Sequence, residues 1–348
     1  MFGSARRIAI LTEGNTTPLL AKTAASVLRY RRDEVVAIID STAIGADAGA
    51  LLEVGEGPVV VGALADVPEA DTLLLGISPA GGALPPGWRA TILEAIDRDM
   101  TVVSGLHAFL ADDREIAARA EARGTALVDL RRYDRRPIAR AEGLDETRLR
   151  VLTVGQDCCV GKMVTAIELA RGLRDSGRDA VFLATGQTGI AIAGSGAPID
   201  AVPADFIAGA AERLVLEHQD HDILVGEGQG SLAHPSFSGV TLALLHGFAP
   251  HAMILCLECD RPATKGLDHV PLTPLETIFP LYESMAALRA PSRIIGLALN
   301  TRRLDEAAAR ARCRELGERF GLPATDVLRF GAAPLVEAVA AFRRGAPA

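Results

Sequence analysis

One stretch constrains this chain more than any other: RVLTVGQDCCVGKMVTAIELARGL, residues 150–173. Five residues of an apolar strand run into a glycine-rich turn, then a lysine, then apolar residues at helical spacing. In that order the backbone N–H groups at the helix start and the Lys162 ammonium converge on phosphate oxygens, so Gly155 to Lys162 reads as an anion-cradling P-loop. An ordinary strand-to-helix turn that contains Gly-Lys is the competing reading.

A loop of this kind needs a parallel sheet around it, and the rest of the chain supplies two. RIAIL (7–11), EVVAII (34–39), PVVV (58–61), TLLLGI (72–77), TVVSGL (101–106) and ALVDL (126–130) alternate with helical patterns at 18–30, 88–97 and 112–123. A second series, RVLTV (150–154), AVFLA (180–184), DILVG (222–226), AMILCL (252–257) and RIIGLAL (293–299), alternates with helical patterns at 163–175, 204–217, 275–288 and 305–320. Strand and helix in alternation predict an α/β protein. Hydrophobic residues are 49% of the 348 and aromatic ones only 4%, which suits buried parallel strands of small aliphatics. Residues 131–150 are charged and contain Pro137, so the boundary is placed near Asp145: an N-terminal Rossmann-like domain over 1–144 and a P-loop NTPase-like domain over 145–348. The first strand is followed by TEGNTTP, with one glycine where a dinucleotide turn needs three, and a nicotinamide cofactor is not supported.

A net charge of −8, with no stripe of Lys and Arg, disfavours nucleic acid as a partner. No secretory signal and no run of membrane-spanning length is visible, and a cytoplasmic enzyme without a membrane partner is expected. Five cysteines, an odd number, point to free thiols. Cys256 and Cys259 form a CxxC, but it starts in the apolar run AMILCL with no second ligand pair nearby, so it reads as packing rather than as a metal or redox motif.

Five residues separate Gly155 from Gly161, one more than the usual Walker spacing. This longer loop, with Asp157 inside it, resembles the G-x-D-x-x-V-G-K loop of dethiobiotin synthetase and its relatives. Met163 stands where a loop that works on Mg-nucleotide places Ser or Thr, and a thioether is a poor ligand for Mg²⁺. Either Thr165 or Asp157 takes over the metal, or the loop cradles another pyrophosphate, such as that of coenzyme A, without γ-phosphoryl chemistry.

Three other strand ends carry polar groups. Glu227, flanked by Gly226, Gly228 and Gly230 and followed by His234, sits at the carboxyl end of a strand, where ligands of parallel sheets bind. The glycine-rich stretch 183–206 is long for a connector and offers Gln187, Thr188 and Asp200 to a substrate or cofactor. After the strand at 252–257 come Arg261, Lys265 and His269, three cations suited to substrate carboxylates or a coenzyme phosphate. The competing readings are a solvated turn acid for Glu227, a hydrogen-bonding surface residue for His234, a flexible lid without contacts of its own for 183–206 and a solvated polar loop for 261–269.

GQDCCVGKM, ATGQTG, APIDAVPADFIAGAAE, EGQGSLAHP and the 261–269 segment together resemble the D-glutamate N-acetyltransferase family. The resemblance implies acetyl transfer from acetyl-CoA to the amine of D-glutamate in D-amino-acid catabolism. Its members join a Rossmann-like domain to a P-loop domain, and their loop likewise reads GKM; Cys159 stands where a smaller residue is common. On this reading Gly155, Asp157, Cys158, Val160, Gly161, Lys162 and Met163 hold the coenzyme. Glu227 is the first candidate for the base and His234 the second, and Arg261 and Lys265 clamp the two substrate carboxylates. Its rivals are an ATP- and Mg-dependent ligase or kinase of the dethiobiotin synthetase-like class, and a nucleotide-switch or metallochaperone-like binding protein. A homo-oligomer is expected of two Ala-rich α/β domains.

Overall fold

In the computed structural model, residues 6–77 and 81–342 are described. They form two compact units. The first is a six-stranded parallel sheet of β1 (Ile8–Leu11), β2 (Val35–Ile39), β3 (Val60–Val61), β4 (Thr72–Leu75), β5 (Thr101–Ser104) and β6 (Leu127–Asp129). Its order, β3-β2-β1-β4-β5-β6, is that of a Rossmann sheet. At the end of β2, burial pushes the Asp40 carboxyl up, but hydrogen bonds from Thr16, Thr42 and the Gly14 N–H more than offset this and hold it at about 2. That carboxylate thus closes the turn after β1.

The second unit holds β7 (Leu149–Gly155), β8 (Ala180–Leu183), β9 (Ile223–Gly226), β10 (Ala252–Glu258), a small antiparallel pair β11 (Ala263–Thr264) and β12 (Leu267–Pro271), β13 (Arg293–Asn300) and β14 (Ala324–Thr325). Its main sheet is ordered β14-β13-β10-β7-β9-β8, and all its pairings are parallel. The helix Lys162–Asp175 buries Ala166, Leu169, Ala170 and Leu173, the i, i+3, i+4, i+7 face, against β-strand residues such as Val151, Val225 and Ile254. The strands are close to wholly apolar because both faces are covered.

The expected strands are all present, but the division of the chain differs from a single cut at Asp145. The first unit ends at Tyr133, and the second takes Asp134–Gly186 and Val202–Ala348. Residues 134–148 belong with the P-loop sheet because their backbone packs on the helix Ala204–Leu216. Glu212 accepts from the Arg140 and Ala141 N–H groups at 2.8 and 2.7 Å, and Arg135 pairs with Glu217. Gly209 is required there, since a Cβ would lie 1.9 Å from the Pro137 carbonyl.

The stretch expected to be a long glycine-rich loop folds as a helix, Gln187–Ala193, and a 3₁₀ turn, Ile199–Ala201. Gln187–Ala201 belongs to the first unit. Thr188 hydrogen-bonds Thr23 at 2.9 Å, Arg31 donates to the Ala191 carbonyl at 2.8 Å, and Asp200 pairs with Arg131. Among the described residues, no helix is long and apolar enough to cross a membrane.

Candidate active site

β7 delivers the chain to Gly155, and the turn to Gly161 follows. Gly161 sits at φ 102°, a conformation that L side chains rarely adopt, and from it the helix starts at Lys162. Cys159, at φ 57°, takes the left-handed region without a glycine's freedom. The Lys162 ammonium is buried and donates to the Asp157 carbonyl at 2.9 Å, with burial pushing its pKa down. A pyrophosphate arriving at the loop meets that ammonium and the N–H groups of the first helical turn.

The walls of the loop come from residues whose partners lie far off in sequence. Asp157 is buried, and Oδ2 accepts from Arg261 at 2.6 Å and from the Lys265 N–H at 2.8 Å, while Oδ1 accepts from the Cys158 N–H. Arg261 also donates to the carbonyls of Cys158 and Cys159 and pairs with Glu258 at the end of β10. Arg261 is therefore the brace of the loop, with its guanidinium spent on two carboxylates and two carbonyls. The side chains of Lys265 and His269 are exposed on and beside β12.

Tyr282, which carries no motif, is a second brace. Its buried hydroxyl donates to the Gly155 carbonyl at 2.9 Å and accepts from the Leu232 N–H at 3.2 Å, and burial pushes its pKa up to about 12. It joins the P-loop strand to the loop after β9. Only its three-dimensional position marks it; a lone tyrosine in a helix gives no sequence signal.

Beside β7, the carboxyl end of β9 presents Glu227, buried, with Oε2 accepting from the Thr185 and Gly186 N–H groups at 3.0 and 3.2 Å. Its Oε1 faces the Gln229 amide at 3.3 Å. Burial raises its pKa to about 7, although the two N–H groups and nearby Lys162 pull the other way. Gly228 is obligatory beside it, because a Cβ there would lie 1.7 Å from the Thr153 carbonyl. The result is a carboxyl that titrates near neutrality next to a phosphate cradle.

His234 is also buried near the loop, with Nε2 4.0 Å from Asp157 Oδ1. Its Nδ1 accepts from the Ser236 N–H and its Nε2–H donates to the Lys265 carbonyl, both at 3.1 Å. With both nitrogens committed to backbone, His234 fixes the loop rather than offering a lone pair. Gln187, Thr188 and Asp200 belong to the other unit, and Asp200 is committed there to Arg131.

One group of side chains has the makings of a metal site. Asp157, Cys158 and His234 place an oxygen, a sulfur and a ring nitrogen within 4.8 Å of one another. However, the carboxylate is held by Arg261, the imidazole by backbone, and the Cys158 thiol is pushed up to about 11 by burial. For Mg²⁺ at a triphosphate, Met163 offers a thioether, Thr165 is buried with its hydroxyl on Cys256, and Asp157 is engaged. Neither set fits. Cys256 and Cys259 are buried free thiols.

Residues 137–336 match the family model described as a domain of unknown function, DUF1611 C-terminal P-loop domain, and residues 41–133 match its N-terminal Rossmann-like domain. The chain belongs to the DUF1611 family. It is 39% identical over 328 residues to a protein of Tritonibacter scottomollicae named D-glutamate N-acetyltransferase, covering 93% of this chain and 95% of that one. A second relative of that name, from a Pseudoalteromonas species, is 39% identical over 268 residues, covering 77% of this chain and 80% of the other. The crystal structure of a DUF1611 family protein from Anabaena variabilis superposes with a TM-score of 0.91 at 35% identity, covering 97% and 99% of the two chains. This DUF1611 protein is thus an acyltransferase of the family that its motifs resemble.

Proposed function

We propose that the chain transfers the acetyl group of acetyl-CoA to the amine of D-glutamate. The observation that carries this reading is Glu227, a buried carboxyl with a pKa of about 7 beside a phosphate loop whose residues do not suit a Mg-triphosphate. The names of the two relatives supply the acceptor.

An ammonium is not a nucleophile, so its proton must leave before the nitrogen attacks the thioester carbonyl. Glu227 takes that proton at Oε1, while Oε2 stays anchored on the Thr185 and Gly186 amides. The N–C bond forms and the C–S bond breaks; the acylated nitrogen gives up its second proton, which the departing thiolate takes to become free coenzyme A, and Glu227 releases the first proton to solvent. Lys162 and the helix-start amides hold the coenzyme's pyrophosphate throughout. Lys265 keeps the role of a substrate carboxylate partner, and Arg261 positions the loop instead.

The test is thiol release from acetyl-CoA with purified protein across D- and L-amino acids, without ATP, beside an arm with ATP and Mg²⁺. Release with D-glutamate and no need of ATP is the expected result. Absence of release, together with ADP formation in the second arm, would return the chain to the ligase class.

A further inference from the structure

The mechanism leaves unused a cluster of arginines at the far side of the P-loop. Glu258, at the end of β10, has a fully buried side chain. Burial works against its charge, but hydrogen bonds from Arg261 and Arg302 hold its pKa below the ordinary value. One of its oxygens pairs with Arg261; the other, Oε1, is shared by Arg302 at 3.0 Å and Arg303 at 3.2 Å. Those two arginine side chains are each about half exposed, at 52% and 48%. Across the cluster three guanidiniums face two carboxylates, Asp157 and Glu258, and a net positive charge is left open to solvent.

The fold fixes where this charge lies. Arg302 and Arg303 follow β13, and their turn is pinned: Asp326 accepts from the Thr301 N–H and hydroxyl at 2.9 and 2.6 Å, and Asp305 caps the next helix. Both side chains lean back to β10, which lies directly beside the loop strand β7. The guanidiniums therefore sit at the carboxyl end of β10, the strand beside the loop's own strand. Arg261 links them to the loop carbonyls of Cys158 and Cys159. Glu227 is on the opposite side, at the carboxyl end of β9. A ligand whose pyrophosphate fills the loop can thus present its reacting end toward Glu227 and its nucleoside toward the arginines.

Resting on the donor proposed above, we propose that Arg302 and Arg303 form the subsite for the 3′-phosphate of the coenzyme's adenosine. A phosphate dianion matches two forked, partly solvated guanidiniums that share one carboxylate oxygen. A plain nucleoside di- or triphosphate has nothing to place there, so the pair selects a 3′-phosphorylated donor.

The experiment compares kcat/KM for acetyl-CoA and acetyl-3′-dephospho-CoA in the wild type and in the Arg302→Ala/Arg303→Ala variant. Glu258 keeps Arg261 in that variant, so the buried carboxylate stays paired. The wild type should favour the 3′-phosphorylated donor by roughly 10- to 100-fold, the scale of one or two charge-assisted hydrogen bonds. In the variant this ratio should fall toward one. Inhibition of the wild type by adenosine 3′-phosphate 5′-diphosphate against 5′-ADP, which share the pyrophosphate and differ only in the 3′-phosphate, gives a check independent of folding, with the 3′-phosphorylated compound expected to bind more tightly. Equal use of both donors by the wild type, or a ratio unchanged in the folded variant, overturns the subsite. Thiol release from neither donor would instead fail the donor reading, and the subsite with it.

Discussion

Replacing Glu227 by Gln tests the site through two opposed pH dependences. The carboxyl's pKa rises from an ordinary 4.5 to about 7 on folding. A raised carboxyl means that the native state binds the proton more tightly. The stability this gives is fully present below pH 4.5 and is lost as pH climbs to about 7. At 1.36 kcal/mol per pH unit the loss is about 3 kcal/mol, or roughly 6–12 °C in melting temperature for a unit of about 200 residues. The Gln variant lacks this dependence, so the wild-type melting temperature should fall relative to that of E227Q between pH 4.5 and 7 and run parallel above.

Catalysis should move the other way, because only the ionised carboxyl accepts a proton. Wild-type kcat/KM should rise tenfold per unit up to about pH 7 and then level. E227Q should lose about 10²- to 10⁴-fold and show no such rise. Differential scanning calorimetry and thiol-release kinetics over pH 5–8 measure both. Full rate in E227Q, or parallel melting curves across the whole range, would refute the assignment of Glu227 as base.

Two further substitutions separate loop bracing from substrate binding. Arg261→Ala removes the shared partner of buried Asp157 and Glu258 and should cost about 3–5 kcal/mol in denaturant unfolding, along with donor affinity; a raised KM for D-glutamate at unchanged stability would restore the clamp. Tyr282→Phe strips the hydroxyl that joins Gly155 to Leu232 and should cost about 1–3 kcal/mol. An unchanged unfolding midpoint would show that those backbone groups find other partners.

The strands were legible because a doubly covered parallel strand has to be an unbroken apolar run, as in AMILCL and RIIGLAL. The P-loop was legible because its glycines and lysine sit at a strand end that opens a helix. The helix Ser238–Phe248 was not: SGVTLALLHGF is apolar on most sides and shows no stripe. The helix Gln187–Ala193 was masked by its glycines, and the β11–β12 pair by its charged residues. Arg261 was visible as a cation but its pairing was not, since its partner Asp157 lies 104 positions upstream and pairing at that separation leaves no local mark. The same holds for Arg131 with Asp200, 69 positions apart.

The assignment of Gln187–Ala201 to the first unit means that the polypeptide passes between the units three times, after Tyr133, Gly186 and Ala201. Neither half can be excised with one cut. A fragment starting at Asp134 would carry Ile190, Ala191 and Ile199, buried in the intact chain, without the neighbours that cover them, and would be prone to aggregate. A fragment ending at Tyr133 would lack that same segment.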